Sequence, residues 1–134
     1  MKAFAKPTVA LGFAAFFFCG LICTHVEDVT AAPLDLGGDV LAGVALFVGG
    51  VLSGRDWGQG RQYQVVGWSF MVSLLFHSVL GNLSDILIHA TDGARSGLVV
   101  LSPVAYTAIE GLLLVVSTVG LWTTLTTAES PAVS

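Results

Sequence analysis

Charge is what this sequence lacks most. Of its 134 residues only five are Lys or Arg and nine are Asp or Glu, about a tenth of the chain where a soluble domain carries roughly a quarter. So few charged groups cannot clothe a domain in water, which points to a membrane protein of one domain, residues 1–134. Basic residues are also never interleaved with aromatics, so nucleic acid is not an expected partner. Sustained alternation of polar and apolar residues is missing too, and that excludes a membrane-spanning barrel. Cysteine is scarce. Cys19 and Cys23 lie four apart, on one helical face; they suit small packing residues, with a redox or thiolate-ligand pair as the alternative. "GLIC" makes a poor lipid-attachment site, because Ile22 stands where a small residue belongs.

What the chain does have is long apolar runs. "PTVALGFAAFFFCGLICT" (7–24) carries no charge, and "VLAGVALFVGGVLSG" (40–54) lies between Asp39 and Arg55. A third run begins near Tyr63 and a fourth near Gly97. A helical span needs about 20 residues. The expectation is an all-α, polytopic membrane four-helix bundle, with helices over about 7–25, 36–54, 63–89 and 97–126 forming two antiparallel transmembrane hairpins.

Lys2, Lys6, Arg55 and Arg61 fall on one side of that arrangement, and Glu27, Asp28, Asp35, Asp92 and Arg95 on the other. The positive-inside rule then places both termini in the cytoplasm of a multi-pass protein. "MKAFAK" before an apolar run also resembles a secretory signal, with "VTA" (29–31) as a cleavage site. The long apolar run and the intervening Glu27 and Asp28 weigh against it.

The candidate site comes from the last two helices. Asp92-Gly93 is a turn signal, and folding the chain back there sets His77 opposite Glu110, about 20 Å from the loop at 1.5 Å per residue. Phe70, Ser73, His77, Gly81 and Asp85 share one helical face, and Ser102, Tyr106, Glu110, Leu113 and Ser117 share another. Asp85 then lies beside Ser102, and Gly81 makes room for the Tyr106 ring. Ionisable groups inside a bilayer are costly and by default mark function. A His–Glu pair can share or relay a proton near neutral pH, so His77 and Glu110 are the candidate acid–base pair, with Asp85 and Tyr106 supporting. The competing reading is a polar clamp between helices.

Other chemistry has thinner support. His25 and His89, near Glu27, Asp28 and Asp92, are weak metal candidates without a tight spacing motif. A haem would want two facing histidines, and no cofactor is expected. "NLS" (82–84) matches a glycosylation triplet but falls within a helix.

The length, the four helices, the Asp-Gly turn before the last of them and the glutamate in "AIEGLLLV" resemble the small DoxX-like membrane proteins. The resemblance implies a compact four-helix bundle with redox-associated or accessory roles. An arginine of the third helix in some relatives is missing here, and no catalytic residue carries over. Three functions stay open: a pocket that binds or transforms a lipophilic small molecule by acid–base chemistry, an accessory or assembly subunit of a larger membrane complex or homo-oligomer, and a small proton-coupled transporter. Small multidrug transporters keep an essential carboxylate in the first helix, and none stands here. The glycine-rich "FVGGVLSG" suits close helix contact in an accessory role.

Overall fold

The computed structural model describes residues 6–31, 37–89 and 102–127, with the side chains of 24–31, 85, 88 and 89 outside the described set. Among the described residues the chain is all-α: α1 (Pro7–Ala31), α2 (Gly37–Ser53), α3 (Trp57–His89) and α4 (Pro103–Thr126). The helix α1 runs past the expected end at residue 25, because nothing in "HVEDVT" breaks a helix and Pro33 lies beyond.

The helix α3 starts six residues earlier than the expected Tyr63. Its start is set by Asp56, whose Oδ1 accepts hydrogen bonds from the Gly58 and Gln59 amides at 2.8 and 3.4 Å. Most of "RDWGQGR" is therefore helix, and Arg61 belongs to α3 instead of a loop. At the other boundary Pro103 opens α4, and the Ser102 hydroxyl accepts from the Ala105 amide at 3.2 Å. The Asp92-Gly93 turn and the expected helix start at Gly97 lie outside the described residues.

Packing is set by glycines. The helix α3 lies between α2 and α4, and α1 packs on α2. A Cβ on Gly49 would meet the Gln64 backbone nitrogen at 2.6 Å, one on Gly67 the Leu46 nitrogen at 2.7 Å, and one on Gly60 the Ser53 backbone. These three contacts mark a continuous antiparallel register in which the two backbones almost touch. Gly43 and Gly50 make room on α2 for side chains of α1, the Phe18 ring and Leu11. Gly49 and Gly50 of "FVGGVLSG" are thus used inside the chain.

At the centre, the fully buried Trp68 has the Phe13 ring at 4.9 Å and 60°, and its indole lies where a Cβ on Gly120 of α4 would meet it at 2.7 Å. Ala10, Ala14, Ala42, Leu46, Met71 and Leu75 complete the core. Large apolar side chains also cover the outside, among them Phe16, Phe47, Leu112 and Trp122. Two helical stretches, Trp57–Ser84 and Pro103–Thr126, are long and apolar enough to cross a membrane; those of α1 and α2 (Pro7–Cys23 and Gly37–Ser53) are shorter.

Candidate functional site

The carboxylate of Glu110 is buried between α3 and α4 and is held by two neutral donors. The Ser78 hydroxyl donates to its Oε1 and the Asn82 amide to its Oε2, both at 2.6 Å. Ser78 and Asn82 are one helical turn apart on α3, so both reach a single side chain on α4. The Asn82 amide also lies 3.4 Å from the Ser78 hydroxyl, closing a small network. Glu110 is 7 % exposed and Asn82 8 %. Asn82 of the "NLS" triplet therefore has a structural use.

His77 is not part of this network. It is exposed, and no hydrogen bond or ion pair joins it to a described residue. The expected depth is nearly right and the expected face is wrong: Glu110 meets the next residue along, about 100° around a helix of 3.6 residues per turn. Phe70, Ser73 and Gly81 are exposed with His77, and a Cβ on Gly81 would meet nothing within 4 Å. Gly81 thus makes no seat for Tyr106, which is half-buried one turn before Glu110. On α4 the expected face is partly inward: Glu110 and Ser117 are buried, whereas Ser102 is exposed at the cap. The side chains of Asp85, His25 and His89 lie outside the described set. Among the described residues no group of three His, Cys, Asp or Glu side chains could hold a metal. Cys19 and Cys23 are free thiols.

The inward stripe of α3 is Gln64, Trp68, Met71, Leu75, Ser78 and Asn82, at three- and four-residue spacing. A search for ionisable pairs passes over it, because its polar members are amides and a hydroxyl. The available signal was Ser78 and Asn82, four apart, at the depth of a lone glutamate.

A second polar group lies at the other end of α3. Gln64 donates to the Ser53 hydroxyl at 2.8 Å. Arg61 donates from Nε to the Thr124 carbonyl at 2.9 Å and from a terminal nitrogen to the Leu125 carbonyl at 2.8 Å. These are the last carbonyls of α4, where a cation also meets the negative end of the helix dipole. Buried Met71 and Leu75 separate this group from the Glu110 network, with Gln64 and Ser78 about 21 Å apart along α3 at 1.5 Å per residue.

The two ends differ in surroundings as well. A Cβ on Gly38, in the first turn of α2, would meet Leu74 at 3.4 Å, so Ser78 and Asn82 stand one and two turns beyond the level at which α2 begins. The chemistry of the trio is versatile, because a serine hydroxyl both donates and accepts. Ser78 can donate to a carboxylate or, by turning, accept from a carboxylic acid, while Asn82 donates in either state. Comparison of the chain with protein-family models, with curated proteins and with solved structures finds no match in any of the three.

Proposed function

We propose that the chain is an integral membrane protein of two antiparallel helical hairpins, whose Glu110 site exchanges a proton with a lipophilic small molecule. In this reading Glu110 is the acid and base, Ser78 and Asn82 hold it in either protonation state, and Tyr106 flanks it. The observation that carries it is a buried carboxyl bonded, among the described residues, only to neutral donors that fit both states. Membrane embedding draws support from the two long apolar helices and from the large apolar side chains outside. The apolar layer of Met71 and Leu75 favours a one-ended pocket over a transport path.

The test is a lipophilic carbodiimide, which reacts with carboxylic acids it can reach from the membrane. Dicyclohexylcarbodiimide applied to the protein in lipid nanodiscs is expected to add its mass to the peptide carrying Glu110, and Glu110→Gln is expected to abolish the adduct. A lipophilic substrate would protect against labelling. Folded protein that stays unlabelled would leave Glu110 as a closed clamp between helices and sink the proposal.

A further inference from the structure

We infer that the outer face of α3, carrying Ser73, His77, Gly81 and Ser84, seats the same face of a second copy of this chain. The inference rests on the membrane reading above. His77 is nine residues from Trp68, two and a half turns, so it points away from the core that Trp68 fills. The α3–α4 register sets it near the level of Glu110. That is roughly 7 Å from the middle of α4, well inside a hydrocarbon half-thickness of about 15 Å. At this depth an imidazole is too short to reach the headgroups, and polar side chains there face protein rather than lipid. Among the described residues no hydrogen bond or ion pair joins His77 to a neighbour.

The chemistry of the face favours its own copy as that neighbour. Ser73, His77 and Ser84 are all exposed, and each carries both a donor and an acceptor when the imidazole is neutral. None brings a fixed charge, so the stripe can satisfy an identical one without like-charge repulsion. A two-fold axis along the membrane normal sets each residue against its counterpart at equal depth. Gly81, open on its outer side, lets the helices approach closely, and exposed Phe70 and Leu80 supply apolar contact on either flank.

Disulfide crosslinking of the full chain in native membranes tests this, in a Cys19→Ser/Cys23→Ser background. Ser73→Cys and Ser84→Cys should each form same-residue dimers, at least about tenfold above Leu112→Cys on α4 and Ile22→Cys on α1. All four positions are exposed, so the fold is not at stake. In lipid vesicles, energy transfer between labelled copies should show His77→Leu shifting the equilibrium about three- to tenfold towards monomer, the range of an interhelical hydrogen bond in a bilayer. An unshifted equilibrium, or crosslinking at the control positions instead, would overturn the dimer face. Alkali extraction separates the two readings. Release of the protein from membranes overturns the membrane assignment and the dimer with it; retention without crosslinks at 73 and 84 overturns the dimer alone.

Discussion

The two ends of α3 are both polar and do different things. At the Arg61 end three helices meet, the backbones of α2 and α3 almost touch at Gly49, Gly60 and Gly67, and the polar contacts join helices to each other. Arg61 finishes α4 and Gln64 ties α3 to α2. At the Glu110 end, one and two turns beyond the start of α2, a carboxylate is held by side chains that can follow it through a change of protonation. Polar groups spent on helix ends and backbone contacts build the bundle. A carboxyl cradled by a hydroxyl and an amide leaves chemistry available. The difference is sharpest in what mutation should do at each end.

The largest effect is expected where backbone meets backbone. A Cβ on Gly67 would lie 2.7 Å from the Leu46 nitrogen and 3.0 Å from its Cα, atoms that cannot move aside as a flexible side chain does. Gly67→Leu should cost about 3 kcal/mol or more in detergent-micelle unfolding, at the upper end of overpacking penalties. Gly12→Ala is the matched control, since its Cβ would meet nothing within 4 Å. It should change stability by about 0.5 to 1 kcal/mol in the favourable direction, the helix preference for alanine. Equal effects at the two glycines would remove the close α2–α3 contact.

The Glu110 end predicts coupling rather than collapse. Glu110→Leu removes the acceptor that Ser78 and Asn82 share, at a cost of about 1–3 kcal/mol. A double-mutant cycle of Glu110→Leu with Asn82→Leu should show coupling of about 1–2 kcal/mol. The same cycle with His77→Leu should be additive within about 0.5 kcal/mol, because the two side chains are not joined. Strong His77–Glu110 coupling would restore the pairing expected from the sequence and undo the contrast between the ends.

How much of this was legible in the sequence is clearest on α3. The depth relation between α3 and α4 was readable from the turn signal and helical rise: Glu110 meets Ser78, one residue from the expected His77. The facing side was not. Helices that are apolar nearly all round carry little periodicity to mark an inward stripe, which leaves the ionisable residues alone to choose the face. On α4 that logic found Glu110 and Ser117, both buried. On α3 it picked the side opposite Trp68. The deciding information was steric: Gly60 and Gly67 must face α2 for the backbones to meet, and Trp68 needs Gly120 beneath its indole. Those constraints lie in pairs of residues on different helices and leave no mark within one helix. The capping contacts of Asp56 were local and readable, yet the run of polar residues after it suggested a loop.

The smallest effect belongs to Arg61, and it tests whether the architectural end is held by geometry or by charge. Its guanidinium spans two successive carbonyls of α4, at Thr124 and Leu125, which no intrahelical amide can satisfy. Arg61→Ala frees both to water at an exposed to half-buried position, so the loss should be about 1 kcal/mol, within the range for a cation at a helix C-terminus. Arg61→Lys keeps the charge and loses the fork that engages two acceptors at once. If dipole attraction dominates, the lysine variant should match the wild type and the advantage of both should fade in high salt. If the two hydrogen bonds dominate, the lysine variant should fall about midway between wild type and alanine, with little change on adding salt. The geometry favours the second outcome, since each nitrogen donates at 2.9 Å or less. Hydrogen exchange at the last turn of α4, which frays first when its carbonyls lose their partner, is the measurement that separates the two.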